Sequence, residues 1–244
     1  MKKIFVTSLL ISALGFAEKK MNNEIGIGVS FSNEIYKMEK KSGKTSFFPV
    51  STFLYKNFYL NDSEIGINFI SNENLFFSVY SDLRDGYSVK GEKLEKGYKT
   101  FKNRKEQIVF GGRLGYVVNN LESYISAQGG KRGSTSEVGI NYVLPVNEKI
   151  TVMSGMSYSM YSKKFTDYYF GVHKEDIGGK LQKEYKPKNS SSFGLRLGAE
   201  YKFTDSFSTF ALMGTEKFSK EISNSPIVKK GTNVTGAIGV KYNF

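Results

Sequence analysis

The chain has 244 residues, with 35 Lys and Arg against 23 Asp and Glu, one histidine, no cysteine and no tryptophan, a length for one large domain or two small ones. The missing cysteines exclude disulfide frameworks, thiolate nucleophiles, iron–sulfur ligand sets and a lipoprotein anchor, and a lone His173 builds no zinc cluster. The formal charge of +12 does not point to nucleic acid, because lysines far outnumber arginines and are scattered beside Asp, Glu and Asn as on a solvated surface.

In chain order, Met1, Lys2 and Lys3 precede an apolar stretch over 4–16, and Gly15-Phe16-Ala17 supplies small residues where a signal peptidase cuts. Residues 1–17 read as a signal peptide cleaved after Ala17, and 18–244 as one mature domain. No later stretch approaches the roughly 18 consecutive apolar residues of a spanning helix.

From there the period is two. Ile25, Ile27, Val29 and Phe31 alternate with Glu24, Gly26, Gly28 and Ser30. The same pattern sets Ile108, Phe110, Leu114, Tyr116 and Val118 against Gln107, Gly111, Arg113 and Gly115, and Val138, Ile140, Tyr142 and Leu144 against Glu137, Gly139 and Asn141. Phe193, Leu195, Leu197, Ala199, Tyr201 and Phe203 oppose Gly194, Arg196, Gly198, Glu200 and Lys202, and the chain ends with Val234, Gly236, Ile238, Val240, Tyr242 and Phe244 on one face. No sustained helical period competes.

Eleven runs emerge at first, at 24–36, 46–56, 58–70, 75–82, 106–118, 121–130, 135–144, 149–162, 191–203, 207–219 and 232–244. A bacterial barrel with both ends in the periplasm needs an even number. The stretch 57–70 must therefore hold two strands, 58–60 and 64–70, joined at Asn61-Asp62-Ser63. Twelve strands are expected, with ten as the alternative. Tight turns at Asn119-Asn120, 145–148 and Thr204-Asp205 contrast with long polar connections at 37–45, 83–105, 163–189 and 220–231, the asymmetry of an outer-membrane barrel. Pro145, Pro187 and Pro226 fall in connections and Pro49 near a strand start.

Alternation alone also fits a soluble sandwich. The export signal, strands of ten or more residues and aromatics at strand ends favour a closed antiparallel transmembrane β-barrel, all-β, up-and-down, in the outer membrane. Tyr116, Tyr142, Tyr158, Tyr161, Phe193, Phe203, Tyr242 and Phe244 are the expected interfacial girdle. Arg113, Arg196, Glu200, Lys202 and Lys241 then point into the lumen.

The run Tyr201-Lys202-Phe203-Thr204-Asp205-Ser206-Phe207-Ser208, then Ser225-Pro226-Ile227-Val228, then the final strand, resembles the MipA/OmpV family of outer-membrane proteins. So does the loop Asp167-Tyr168-Tyr169-Phe170-Gly171-Val172, and, less densely, Gly26-Ile27-Gly28-Val29 and Phe47-Phe48-Pro49-Val50. The resemblance implies an outer-membrane scaffold that brings a murein lytic transglycosylase and a penicillin-binding protein together. It also makes the terminal Val240, Tyr242 and Phe244 look like the signal read by the barrel-assembly machinery.

Three functions are weighed. In the first, a structural scaffold, the loop Asp167 to Val172 with Ser225 and Pro226 either meets a partner or folds back as a plug. The second is a small pore whose charged lumen residues bias permeation, although side chains of both signs can close a narrow lumen by pairing. The third, a barrel hydrolase, would depend on His173, which reads as a solvated loop residue beside Lys174, Glu175 and Asp176. Gly-Gly pairs at 111–112, 129–130 and 178–179 lack the strand-to-helix setting of a phosphate loop. Asp62, Glu64 and Asn68, like Asp82 and Asp85, lack calcium-loop spacing, so no catalytic residue, cofactor or metal is assigned.

Overall fold

The computed structural model describes residues 23–39, 43–72 and 74–244; the expected leader lies outside the described residues. Alternation produces twelve strands: β1 Glu24–Ser32, β2 Lys44–Tyr55, β3 Phe58–Asn61, β4 Glu64–Ser71, β5 Leu75–Asp85, β6 Gln107–Val118, β7 Leu121–Gly130, β8 Gly133–Pro145, β9 Ile150–Tyr161, β10 Ser190–Lys202, β11 Phe207–Phe218 and β12 Thr232–Asn243. Each pairs antiparallel with its sequence neighbours, and β1 closes on β12 from Glu24 opposite Asn243 to Ser32 opposite Thr235. The stretch 57–70 divides as parity requires, at Asp62-Ser63.

Asn23, Phe244 and the tight turns at 56–57, 119–120, 146–149 and 203–206 gather at one end. At 119–120 the chain reverses through Asn119 at φ 52°, a left-handed conformation that asparagine tolerates. The opposite end carries the described residues 33–39 and the connections 86–106, 131–132, 162–189 and 219–231, and the hairpin at 131–132 is tight.

Outward positions of β12, Val234, Ile238, Val240 and Tyr242, are exposed, as is Phe244 just beyond it, while Asn233, Thr235, Lys241 and Asn243 on its other face are buried. A sandwich would bury the apolar face and wet the polar one. Here the charged face is inside and the apolar face forms a belt around the wall, far beyond the few hundred Å² of contiguous apolar surface that a soluble monomer leaves bare. No helix among the described residues is long and apolar enough to cross a membrane; the strands cross instead, because only a closed sheet satisfies every backbone group in lipid.

Three expectations change. The first strand stops at Ser32 rather than at 36, because Ile35 and Tyr36 turn inward and are buried in a core at the loop end. Tyr161 is not part of the girdle: it faces inward, 6% exposed, and packs in that same core, whereas the other seven aromatics of that set lie on the exposed face. Two short helices, α1 Lys163–Phe170 and α2 Lys220–Ser223, occupy connections in which no helical period was expected. At eight and four residues they are too short to repeat a periodic signal, and packing rather than propensity holds them.

Ile238→Arg puts a guanidinium in the middle of the outward apolar face of β12. It should cost about 2–4 kcal/mol of stability in lipid, read as a lower urea midpoint of the vesicle-refolded protein.

Candidate functional site

The barrel interior and its capped mouth hold the chain's unusual chemistry. The cap begins where β9 ends: Ser162 caps α1, its Oγ accepting from the Phe165 amide (3.4 Å) and also from the Ser134 amide (2.9 Å). Phe165, Thr166, Tyr169 and Phe170 form the buried face of α1. Tyr87, from the 86–106 connection, packs edge-on or tilted against Tyr161, Phe165, Tyr169, Phe170 and Phe218, with ring centroids 5.2 to 6.4 Å away. Tyr36 stacks on Phe170 and donates to the Tyr87 and Tyr169 carbonyls at 2.9 and 3.1 Å. Burial pushes the hydroxyls of Tyr36, Tyr87 and Tyr169 above the usual tyrosine range, so all three stay neutral donors.

The cap is tied to the wall at Glu216 of β11. Its buried carboxylate accepts from the hydroxyls of Tyr87 (3.2 Å), Tyr161 (2.8 Å) and Ser192 (2.7 Å). A second tie joins two connections: Arg104 donates to Asp176 at 2.6 Å, both side chains being buried, and Asp176 also accepts from the amides of Lys102 and His173. Bridges between Tyr36 and Val228 and between Met38 and Leu94 join further pairs of connections.

The loop segment singled out in the sequence belongs to this cap. Tyr169, Phe170, Gly171 and Val172 are buried, and Asp167 and Tyr168 are half-buried. Ser225 is buried and donates to the Phe170 carbonyl at 2.6 Å, with Pro226 half-buried beside it. The buried members of this segment offer a partner no surface. The ring of His173 meets carboxylates, Asp167 at 3.0 Å and Glu175 at 3.8 Å, instead of a serine hydroxyl.

Below the cap, inward charges of opposite sign meet. Arg113 makes a two-pronged pair with Glu64 at 3.0 Å for each contact, while Tyr59 donates to the same carboxylate at 2.8 Å. Arg196 donates to the Tyr124 hydroxyl, which donates to Glu137 at 2.6 Å. Lys241 lies between Glu200 (2.9 Å) and Glu24 (3.2 Å), all three buried. Lys202 sits half-buried near the terminus end of β10. Val240, Tyr242 and Phe244 face outward, Tyr242 with its ring against Phe207 and Phe244. Strand alternation could have located Glu216; Tyr36, Tyr87 and Asp176 lie in connections and leave no periodic trace.

Comparison with known proteins places the chain. The profile of a family described as MltA-interacting protein MipA matches residues 25–244. A 24 kDa outer membrane protein of Pasteurella multocida (strain Pm70) is 30% identical over 234 residues, 91% of each chain. The MltA-interacting protein of Escherichia coli (strain K12) is 29% identical over 98 residues, 40% of each chain. Among solved structures, the NanC porin aligns at a TM-score of 0.48 with 7% identity, covering 89% of this chain and 100% of that one. An outer membrane channel from Pseudomonas putida F1 aligns at 0.45 with 11% identity, covering 91% and 96%.

Lys241→Met strands Glu24 and Glu200 together without a cation in a buried site. A loss of about 3–5 kcal/mol is expected, measured by urea unfolding in vesicles, with most of it restored when Glu24→Gln and Glu200→Gln are added.

Proposed function

From the premise that this chain belongs to the MipA family and resides in the outer membrane, we propose that it is a non-enzymatic scaffold that tethers a murein lytic transglycosylase to that membrane. The observation that carries this reading is the shut interior. The mouth is filled by an apolar core, and Arg113, Arg196 and Lys241 below it are held by carboxylates and hydroxyls of neighbouring strands, so a solute route would require both to rearrange. Function then falls to the surfaces, and the relative named for its interaction with MltA supports a partner of that kind. A penicillin-binding protein is the second partner of the scaffold.

The partner face is the end that gathers Asn23, Phe244 and the tight turns. A murein enzyme works in the periplasm, and barrels of this type keep their short turns there. The Tyr168-Tyr169 segment lies at the opposite end and serves as the plug. The outward Val240, Tyr242 and Phe244 provide the signal that delivers the chain to the barrel-assembly machinery.

A photo-crosslinking residue at Asn120, in a tight turn, should capture the transglycosylase in intact cells, and one at Lys174, on the cap, should not. Capture from Lys174 alone would overturn the orientation, and capture from neither would overturn the scaffold. In planar bilayers the purified protein should be silent, and Tyr87→Ala combined with Tyr169→Ala, which empties the centre of the cap, should leave it silent because the inward charge network below still closes the route. Reproducible ion-selective steps from the unmodified protein would favour a pore instead.

A further inference from the structure

The wall of the barrel is not uniform. β3 has four residues and β4 eight, and the turn between them reaches only as far as Ser51 and Leu83 of the flanking strands. There the Asp62 amide donates to the Ser51 carbonyl (2.8 Å), the Ser51 amide to Asp62 Oδ1 (2.9 Å) and the Leu83 amide to the Ser63 carbonyl (3.0 Å). Toward the loop end β2 continues from Val50 back to Lys44. It is paired with β1 on one side and, among the described residues, with no strand on the other.

The backbone direction along this edge can be read from its neighbours. Ser51 turns toward the turn at Asp62, whereas the Leu54 amide turns the other way, to Asn23 Oδ1 (2.8 Å). Odd positions therefore face the gap: Thr45, Phe47 and Pro49. Pro49 has no N–H to leave unmade there. Across the gap stands β5 beyond Asp82, and over its top the Met38–Leu94 bridge joins the two connections. The gap lies in the apolar belt, since Phe47 pairs with outward Val29 and is 74% exposed. A bare strand edge at that depth is tolerated only when protein covers it or it lines a cavity.

Behind the edge the lumen changes character. The inner face of β2 carries Phe48 and Val50, which join Phe210, Leu212, Ala237, Met153 and Val143 in an apolar patch within an otherwise polar interior. The Phe48 ring lies over Gly28, where a Cβ would come within 2.5 Å of it. The other members of the patch are buried and Phe48 is partly exposed.

We propose that the gap between β2 and β5 is a lateral portal that seats the acyl chain of a membrane lipid, with Phe47 and Pro49 at its rim and Phe48 as its inner contact. An acyl chain is the neighbour that a gap in the belt meets. It needs no hydrogen bonds from the edge, whereas an added peptide strand would find a donor missing at Pro49. The edge carbonyls and the two amides at Thr45 and Phe47, which have no backbone partner among the described residues, then face water held in the portal beside the chain.

The sequence contains no tryptophan, so single-tryptophan variants report one position each. Three variants, Phe48→Trp, Ile238→Trp on the lipid face and Val117→Trp on the inner face of β6 outside the apolar patch, are refolded separately into phosphatidylcholine vesicles with brominated acyl chains. Phe48→Trp should lose most of its emission, as Ile238→Trp does, while Val117→Trp keeps its own. Ser46→Trp, two residues along the same inner face, repeats the measurement if Phe48→Trp does not fold. If the reporter on β2 keeps its emission as Val117→Trp does, or is quenched by aqueous iodide and not by brominated lipid, the portal does not seat lipid and the proposal fails.

Discussion

A backbone amide or carbonyl left unpaired in hydrocarbon costs several kcal/mol, and the rest of this structure follows from that cost. Twelve strands close on themselves so that nearly every such group has a partner, and closure divides side chains by parity into one set for lipid and one for the axis. That division explains an interior holding Lys241, Arg196 and Arg113 beside an exterior of Val, Ile, Leu and Phe. Glycines and serines among the inward positions leave room for the tyrosines and arginines of neighbouring strands.

The apolar core familiar from soluble proteins is displaced to one end. Ile35, Tyr36, Tyr87, Phe165, Tyr169, Phe170 and Phe218 pack as a globular core would, but they stand over the mouth and are contributed by connections and strand tips. Below it the barrel is held by the smaller apolar patch around Phe210 and by ion pairs and hydroxyl networks, which tolerate burial only when complete. Two different kinds of packing therefore meet at Glu216: the aromatic cap donates to it from Tyr87, and the wall from Tyr161 and Ser192.

Much of the architecture was legible in the sequence because a two-residue period survives any tertiary context. Parity of the strand count even located the short hairpin at Asp62-Ser63, which no hydropathy window would have found. The inward placement of Arg113, Arg196, Glu200 and Lys241 follows from the same alternation, but their partners do not, because pairing across strands depends on register and tilt. The cap was less legible still. The segment Asp167 to Val172 was recognisable as unusual, yet whether it met a partner or filled the mouth depended on Tyr36, Tyr87 and Ser225, which lie far apart along the chain and meet only in the closed form.

The pairing of β1 with β12 has a kinetic consequence. Glu24 and Asn243 are opposite one another though separated by nearly the whole chain, so one edge of β1, whose other edge pairs with β2, waits until the last strand arrives. Contacts this distant in sequence form slowly, and every earlier intermediate exposes two raw edges that could join a neighbouring chain. The polypeptide therefore reaches the membrane unclosed, and closure is a late event.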